Sequence, residues 1–488
     1  MVKLGRNKIN CPKEIVMHDF SRRSFLKSAL AAGAFPYIIS RTGFAAPQVR
    51  TYGAGDKVRL ACVGIGQQAW NDIKEFEKTG LAKIVALCDT DLEGMQCRAA
   101  LKKYPNLPRF TDFRKMLDAM EGKIDAVAVM TPDFAHFPAL MDAMRRGLAV
   151  FTEKPLAHTF EECELLMKAE AKYGVVAQMG NQGHSGRNYY QFKHYLETGV
   201  LDPSKLVKMV AHMNNPRRWH KWNGNVDGWR KGEKMPKGLD WDTWIGTAEY
   251  RDFSKDYVQG EWRCWHDFGC GCLGDWGAHT MDTMHRFFDL GLPEEIQIKD
   301  VKGWNKFVFP MQDTLVFKFG AKGKRPAVDL EWYEGINNLP ELPKGYKYLS
   351  WGSDIPAAKG SSAADAKKLI PGKFFYMADG TVWEGGSHST AIFRCGDDSS
   401  VPEYPKPRSN HYANFLLSVM GIAKTRSPFS VGAPLSQVFC LGCIAQRLNR
   451  SFKFDPVNKT VVGDAEANAL LKGAPNTPRK GWEEFYRI

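Results

Sequence analysis

The chain has 488 residues, 44% of them hydrophobic and 25% charged, which is the balance of a soluble globular protein with room for two domains. Its formal net charge of +13 belongs partly to the N-terminus, because residues 1–45 carry eight Lys or Arg and two Asp or Glu. The other basic residues are scattered among acidic ones and form no stripe interleaved with aromatics, which argues against nucleic-acid binding.

The first 45 residues predict an export signal and not a part of the fold. Arg22 and Arg23 precede an apolar stretch, 28–39, which small residues follow. This order resembles a twin-arginine signal and implies cleavage after Ala45; a basic amphipathic arm is the alternative. The stretch is too short for a stable membrane span, and no later segment has 18 uninterrupted apolar residues, so we expect no membrane attachment after cleavage. Residues 46–56 are predicted to be a linker.

An apolar run over 58–63 leads into a glycine-containing turn that opens a helical stretch. Such a turn brings backbone N–H groups and the positive end of a helix dipole to one point, which suits a pyrophosphate. Gly64 allows the turn, Gly66 lets the backbone approach the ligand, and the small Ala69 lets helix and strand pack. A turn without a ligand is the alternative. The predicted cofactor contacts are Gly64, Ile65, Gly66, Gln67, Gln68 and Ala69.

A second apolar run, 83–88, ends at Asp89, 25 residues after Gly64. An acidic residue at this place in the pattern accepts hydrogen bonds from a ribose 2′-hydroxyl. Asp89 would repel a 2′-phosphate, and no Arg or Lys follows it at once. The sequence therefore favours NAD over NADP.

Strand and helix patterns alternate over 57–180, which predicts a parallel sheet covered by helices on both faces. The further strands are predicted over 124–130, 148–152 and 175–179, and helices over 139–146 and 160–173. Ligands of such sheets bind at the carboxyl ends of the strands. The residues predicted to lie there are Gly64, Asp89, Thr131, Glu153 and Asn181.

The pattern changes at residue 181, and the region 181–488 predicts a second, α+β domain. Its strands are predicted over 206–213, 314–319 and 327–333, and its helices over 188–198, 277–288, 411–420 and 435–448. The Trp-rich stretch 214–265 and the Pro- and Gly-rich stretch 338–372 match no motif. The close pairs Cys270/Cys272 and Cys440/Cys443 lack the spacing of a zinc site, so we expect structural thiols, with a disulfide as the alternative.

Two short motifs carry candidate chemistry. Lys154, after the fourth predicted strand, can hydrogen-bond a substrate hydroxyl and lower the cost of its deprotonation. Asp275 and His279 are four residues apart and share a helix face, where they can act as an orienting group and a general base. The alternatives without chemistry are that Lys154 lies in a surface turn and that Asp275 caps the start of a helix. A metal site with His285 as a third ligand is disfavoured, because no further carboxylate or Cys is obviously placed, so we predict no metal.

Jointly these motifs resemble the glucose–fructose oxidoreductase/inositol dehydrogenase/MocA (Gfo/Idh/MocA) family over 57–282. The motifs that carry the resemblance are Gly-x-Gly-x-x-Ala, Thr131-Pro132-Asp133 with His136, Glu153-Lys154-Pro155 and Asp275-x-Gly-x-His279. The segments 180–184 and 411–415 are similar to a secreted bacterial branch of the family. Ala69 replaces the family's more usual third glycine.

The resemblance implies an α/β fold, with an N-terminal Rossmann dinucleotide-binding domain and a C-terminal α+β domain. The second domain would have an open, mostly antiparallel mixed sheet whose face often makes oligomer contacts, so we expect a homodimer or homotetramer. Lys154 and His279 would be the acid/base pair at a sugar carbon, assisted by Asp275. Besides the glycine turn, the expected cofactor contacts are Asp89, Thr131, Pro132, His136, Glu153, Lys154 and Asn181. The expected substrate contacts are Lys154, Gln182, His184, Arg263, Trp265, Asp267, Asp275 and His279.

We therefore expect a periplasmic or secreted enzyme that transfers a hydride between tightly bound NAD and a carbohydrate. No NAD pool is expected outside the cytoplasm, so the cofactor would be regenerated in the site and the net chemistry would be redox-neutral. An oxidoreductase that alternates between two substrates satisfies this condition. So does an NAD-dependent glycosidase that oxidises C3 transiently, eliminates the aglycone, adds water and reduces C3 again. A non-catalytic sugar-binding protein is the third possibility.

Overall fold

The structure is a computed structural model of the chain. It describes residues 50–215, 217, 226–336, 338–346, 371–388, 390–396 and 401–488. The predicted export signal and the start of the predicted linker lie outside the described residues. By their contacts the described residues divide into two units, one with residues 51–56 and one with residue 50 and the described residues from 57 onward. In the first unit, Gly53 N donates to the Asp56 carboxylate (2.8 Å). Both sheets described below belong to the second unit.

The first sheet is parallel and has six strands. They are β1 (Val58–Val63), β2 (Ala82–Cys88), β3 (Arg109–Phe110), β4 (Ala126–Val129), β5 (Ala149–Thr152) and β6 (Ala177–Met179). Their order, β3-β2-β1-β4-β5-β6, is that of a Rossmann fold. The order reverses between β1 and β4, which opens a crevice at the carboxyl ends of these strands. The predicted Rossmann domain is confirmed.

Five helices accompany this sheet, and their ends follow local sequence signals. They are α1 (Gln67–Lys78), α2 (Arg98–Lys103), α3 (Phe113–Ala119), α4 (His136–Arg145) and α5 (Phe160–Tyr173). At the start of α5, Thr159 Oγ1 accepts from Glu162 N (3.1 Å), and the Glu162 carboxylate accepts from Thr159 N (3.2 Å). Gly174 ends the helix at a φ of +61°. These two caps explain why the sequence-predicted bounds of α5 agree with the structure.

The second sheet is mixed and mostly antiparallel. Its strands are β7 (Leu206–Met213), β8 (Glu295–Lys302), β9 (Gln312–Phe319), β10 (Val328–Glu334), β11 (Gly372–Met377), β12 (Val382–Gly386), β13 (Ile392–Arg394), β14 (Phe452–Asp455) and β15 (Thr460–Val461). The order is β13-β12-β11-β7-β10-β9-β8-β14-β15. Strands β7 and β10 pair in parallel, and the other described pairings are antiparallel. The predicted fold of the second domain is confirmed.

The helices of the second domain depart in two places from the predicted bounds. They are α6 (Arg187–Thr198), α7 (Trp241–Ile245), α8 (Gly271–Thr280), α9 (Asp282–Phe287), α10 (His411–Val419), α11 (Phe429–Leu448) and α12 (Ala465–Leu470). The single helix predicted over 277–288 is divided in the structure between α8 and α9. Gly277 in α8 permits close packing, because a Cβ there would lie 2.7 Å from the Phe439 ring. Helix α11 begins before its predicted start and passes through Pro434.

Helix α11 forms the centre of the core. By length and composition it is apolar enough to cross a membrane, but 78% of its most apolar window is buried inside the protein. It packs against α5, α8, β6 and β8. We therefore interpret it as a core helix that joins the two sheets' helical layers.

Candidate active site

The turn after β1 forms one side of a cavity. Gly64 has a φ of +81°, and a Cβ there would lie 2.5 Å from the Met130 carbonyl oxygen, so this position requires glycine. Helix α1 follows directly after Gly66, and within the described part of the chain no side chain caps its first turn. Its first N–H groups are therefore available to an anion, as the sequence predicts for a pyrophosphate.

Asp89, at the end of β2, holds this turn in place. Its Oδ2 accepts from Ile65 N (3.0 Å) and its Oδ1 accepts from Asp91 N (3.1 Å). Burial raises the pKa of the Asp89 carboxyl, and these backbone donors oppose that shift. Asp91, which the sequence analysis did not single out, lines the cavity beside Asp89 and accepts from Gln96 Nε2 (3.0 Å). Two carboxylates therefore stand where ribose hydroxyls bind in such folds.

The residues around the cavity fit a dinucleotide. On the Rossmann side it is lined by Gly64, Gly66, Gln67, Gln68, Ala69, Asp89, Asp91, Gln96, Thr131 and Pro132. Thr131 Oγ1 is buried and has no hydrogen-bond partner among the described residues. Buried hydroxyls are normally paired, so this one fits a polar group of a ligand. Ile65 is fully buried, donates its N–H to Asp89 and does not line the cavity, so its predicted cofactor contact is not supported by this geometry.

His136 belongs to the framework and does not line the cavity, which corrects its predicted place beside the nicotinamide. Its ring nitrogens lie 3.0 Å from the Pro155 carbonyl oxygen and 2.9 Å from that of Thr131. Burial lowers the pKa of His136 to about 4, and the two carbonyl oxygens oppose that shift. It ties the loop after β4 to the loop after β5, where the Lys154–Pro155 peptide is cis.

Lys154 and Asp275 form a largely buried ion pair between the loop after β5 and helix α8. Lys154 Nζ lies 2.8 Å from Asp275 Oδ1 and also donates to the Asp275 carbonyl oxygen (3.2 Å). Arg263 Nε lies 3.6 Å from the same carboxylate, and Arg217 contacts its other oxygen. Burial raises the pKa of Asp275, but the charges of Lys154, Arg263 and Arg217 outweigh it and hold the pKa well below its usual value. The carboxylate is thus ionised and orients three cations.

His279 lies one turn further along α8 and carries an unused nitrogen. Its side chain is buried, and Nδ1 has no hydrogen-bond partner among the described residues. The ring stacks on that of His388, with centroids 3.7 Å apart and planes at 14°. Burial and the neighbouring His388 and Lys154 lower the pKa of His279 well below its usual value, so the ring is neutral.

His388 is a site residue that the sequence analysis missed. It lies in the turn between β12 and β13, where its φ is +57° and its N–H donates to the His279 carbonyl oxygen (3.0 Å). Burial lowers the pKa of His388 to about 4. No local motif marks it, because its partner is more than a hundred residues earlier in the chain.

Buried acids surround the end of β5. Gln182 Nε2 donates to Glu153 Oε1 (3.3 Å) and to Tyr412 Oη (3.4 Å). Tyr412 Oη in turn donates to Asp72 Oδ1 (2.7 Å) on α1. Burial raises the pKa of both Glu153 and Asp72, and the nearby Asp72 charge raises that of Glu153 further. Asp72 carries no sequence signal of its own, since it is one polar position within an ordinary helix.

Asn181 and His184 are buried together. Asn181 Nδ2 lies 3.0 Å from His184 Nδ1, and Asn181 Oδ1 accepts from Ser427 Oγ (2.5 Å). The predicted cofactor contact of Asn181 is therefore not supported by this geometry, because its side chain is used inside the protein. His184 Nε2 and Asp282 Oδ2 have no hydrogen-bond partners among the described residues and lie 3.9 Å apart.

Two of the predicted substrate contacts are corrected. Trp265 is completely buried, stacks on Trp229 (centroids 5.1 Å apart) and donates from Nε1 to the Asp256 carbonyl oxygen (3.0 Å). Asp267 is buried between Arg251 and Arg447. Both residues hold the Trp-rich segment together and neither lines the cavity. Arg263, in contrast, lines it and packs over Trp262 (4.2 Å).

The remaining candidate chemistry concerns cysteines and metals. All ten described cysteines are free thiols, and eight of them are buried. Across the described ranges, no group of three or more His, Cys, Asp or Glu is arranged to hold a metal ion. Cys443 Sγ donates to the Cys270 carbonyl oxygen (3.4 Å), so this thiol has a structural role.

The chain matches two domain families. Residues 58–181 match the family described as Gfo/Idh/MocA oxidoreductases, NAD-binding Rossmann fold, and residues 186–361 match the C-terminal alpha/beta domain of the same oxidoreductases. The NAD-binding assignment agrees with the cavity described above.

Curated relatives are similar over part of the chain. A glycosyl hydrolase family 109 protein of Shewanella sp. is 27% identical over 249 residues, which are 43% of this chain and 53% of the relative. An alpha-N-acetylgalactosaminidase of Shewanella oneidensis is 26% identical over 250 residues, with the same coverage of 43% and 53%. The chain thus spans about half the length of the curated relatives it matches.

Solved structures share the fold. The WlbA dehydrogenase of Chromobacterium violaceum, solved with NADH and UDP-GlcNAcA, superposes with a TM-score of 0.56 at 14% identity, covering 84% of this chain and 99% of that one. The WlbA dehydrogenase of Bordetella pertussis, solved with the same two ligands, has a TM-score of 0.53 at 13% identity, covering 82% and 99%.

Proposed function

Because this chain belongs to the Gfo/Idh/MocA oxidoreductase family and has that family's NAD-binding Rossmann domain, we propose that it is an exported enzyme that oxidises or reduces a carbohydrate carbon. One observation carries the proposal: Arg263, which lines the cofactor cavity, lies 3.6 Å from the Asp275 carboxylate that pairs with Lys154, and His279 follows Asp275 by one turn of α8. The candidate acid and base thereby belong to a cluster that reaches the cofactor cavity through Arg263.

Each side chain has a distinct role in this chemistry. The glycine turn, Asp89 and Thr131 would hold NAD, which would supply the hydride acceptor or donor. His279 is the candidate acceptor of the substrate hydroxyl proton, because its ring is neutral. The Lys154 ammonium stabilises the oxygen as it gains negative charge. Asp275 keeps Lys154 in position through the 2.8 Å contact.

The sequence supports export and hence a resident cofactor. A twin-arginine signal is typical of proteins that fold, often around a cofactor, before they leave the cytoplasm. In the periplasm or outside the cell the enzyme would retain NAD and regenerate it by a second half-reaction on a carbohydrate. We also propose that it assembles as a homodimer or homotetramer through the open face of its second sheet.

A second candidate is an NAD-dependent glycosidase, which the names of the curated relatives favour. Oxidation at C3 of a glycoside acidifies the proton at C2. Loss of that proton with departure of the aglycone, addition of water and reduction of C3 return the cofactor to its initial state. The net reaction is then hydrolysis, so no external electron acceptor is needed.

One experiment separates the candidates. The purified protein, without added NAD, is incubated with aryl glycosides of several configurations while phenol release and absorbance at 340 nm are followed. Phenol release that both Lys154→Ala and His279→Ala abolish would identify a glycosidase. A rise at 340 nm without phenol would identify an oxidoreductase. Lys168→Ala, at an exposed helix position, is the matched control and should behave as wild type. Absence of dinucleotide in the denatured protein would refute both enzymes.

A further inference from the structure

The Trp-rich segment, which the sequence leaves without a role, forms the outer side of the cofactor cavity. We infer that residues 236–263, here called the cofactor wall, cover NAD, with the start of the wall over the adenosine side, and slow its exchange, and that Arg479 holds this wall in place. The inference rests on the proposed function, because it takes NAD as a resident group, and it adds which residues retain that group.

The cofactor wall contributes an apolar surface opposite the glycine turn. The cavity residues it supplies include Pro236, Leu239, Trp244, Phe253, Val258 and Trp262. Each of these except Pro236 and Val258 is at most 9% exposed. An apolar wall facing polar phosphate and ribose contacts is the usual composition of a cofactor site, in which a few polar groups orient the ligand and apolar surface excludes water.

The wall is attached to the ribose end of the cavity. Asp240 N donates to the Thr90 carbonyl oxygen (2.8 Å), and Thr90 stands between the two carboxylates Asp89 and Asp91. Gly238, at a φ of +82°, comes so close that a Cβ there would lie 2.9 Å from Glu93 Cδ. This contact places the start of the wall over the turn after β2, where the adenosine half of a dinucleotide binds in a Rossmann fold.

Stacked rings make the wall a rigid body. Trp241 and Trp244 stack with centroids 4.4 Å apart and planes at 11°, and the Trp244 ring meets Phe134 of the Rossmann domain edge-on at 5.1 Å. Trp241 Nε1 donates to the Arg251 carbonyl oxygen (2.8 Å), which closes the segment on itself. A ligand behind such a unit leaves only when several contacts break together.

The C-terminal tail holds the cofactor wall in place from outside. Arg479 Nε donates to the Gly246 carbonyl oxygen (2.6 Å), and its Nη2 contacts both the Asp242 carbonyl oxygen and the Asp242 carboxylate (2.7 Å each). The tail is anchored in turn to the Rossmann domain, where the Arg114 guanidinium lies 4.4 Å over the Trp482 ring. Arg479 thus connects the wall to the domain that holds the glycine turn.

The test measures cofactor exchange and needs no substrate. Purified protein is incubated with excess isotope-labelled NAD and denatured at intervals, and the ratio of labelled to unlabelled NAD is read by mass spectrometry. We expect Arg479→Ala to exchange NAD about tenfold faster than wild type, because it removes two hydrogen bonds and one ion pair of a charged group. Leu239→Ala, which thins the wall without changing Arg479, should also accelerate exchange. Arg450→Ala, which removes an ion pair to Asp464 elsewhere, is the matched control and should exchange as wild type.

The outcomes distinguish the inference from the proposed function. Wild-type protein that contains NAD, with both wall variants folded by circular dichroism and exchanging at the wild-type rate, would overturn the cofactor wall and leave the enzyme proposal standing. Wild-type protein that carries no NAD would overturn the resident cofactor of the proposed function itself.

Discussion

Replacing Asp275 by Asn tests whether the ion-pair cluster is what organises the site. The substitution keeps the volume of the side chain but removes the negative charge that Lys154 Nζ approaches to 2.8 Å and Arg263 Nε to 3.6 Å, with Arg217 on the other oxygen. The side chains of Asp275 and Lys154 are only 13% and 11% exposed, so water does little to screen the loss.

The expected cost follows from leaving buried cations without their counter-charge. Breaking a buried pair by removing one partner destabilises by about 3–5 kcal/mol. Asn still offers Lys154 an oxygen, so we expect the lower end, about 3 kcal/mol of unfolding free energy. Urea denaturation followed by circular dichroism measures it. Asp464→Asn is the matched control: Asp464 also pairs with an arginine, but the Arg450 side chain is 41% exposed, so the loss should cost less than about 1 kcal/mol.

The pH dependence of the unfolding free energy tests the role of the Asp275 charge more directly. The pKa of Asp275 is held well below its usual value, so its contribution is fully present above the unfolded pKa of about 3.9 and is lost as the pH falls through the folded value. The difference in unfolding free energy between wild type and Asp275→Asn should therefore stay constant from pH 8 to pH 5 and narrow only below about pH 4. A variant as stable as wild type at pH 7 would refute the reasoning.

Three further substitutions test other parts of the site. Gly64→Ala should abolish co-purification of NAD, since its Cβ would lie 2.5 Å from the Met130 carbonyl oxygen; Gly122→Ala, also at positive φ but with open space around it, should retain NAD. Thr131→Val should weaken NAD binding, measured by calorimetry, by about tenfold without lowering the stability of the NAD-free protein. Thr152→Val is the control and should leave NAD binding unchanged, because the Thr152 hydroxyl is also unpartnered among the described residues but does not line the cavity. Glu153 has a raised pKa in the folded protein, so the unfolding free energy of wild type falls as the pH rises from about 4.3 through the folded pKa. Glu153→Gln does not titrate, so urea denaturation should show that its stability relative to wild type increases between pH 5 and pH 8.5. An equal difference in unfolding free energy at both pH values would contradict the raised pKa.

Local sequence patterns determined the parts of this protein that depend on neighbouring residues. The strand-turn-helix around Gly64 is such a part, because a positive φ and close backbone approach leave glycine as the only choice. The bounds of α5 are another, since its capping box and terminal Gly174 are read directly from the chain. The spacing of Asp275 and His279 predicted one helix, and the structure places both on α8. Parallel-sheet topology and NAD as cofactor also followed from the alternation of strands and from Asp89, and both are confirmed.

Only the tertiary structure decided which distant residues meet. His388 stacks on His279, and Asp72 meets Tyr412, through contacts between segments far apart in sequence, which no spacing rule reports. The same reason explains the corrections: Trp265 and Asp267 have the side chains of substrate contacts, but their neighbours consume those groups in packing and ion pairs. A residue type states what chemistry a side chain is capable of. Whether the side chain faces a ligand or the core depends on the packing of the whole chain. The cofactor wall shows this most clearly, because the sequence assigns it no role and the structure places it along the cofactor cavity.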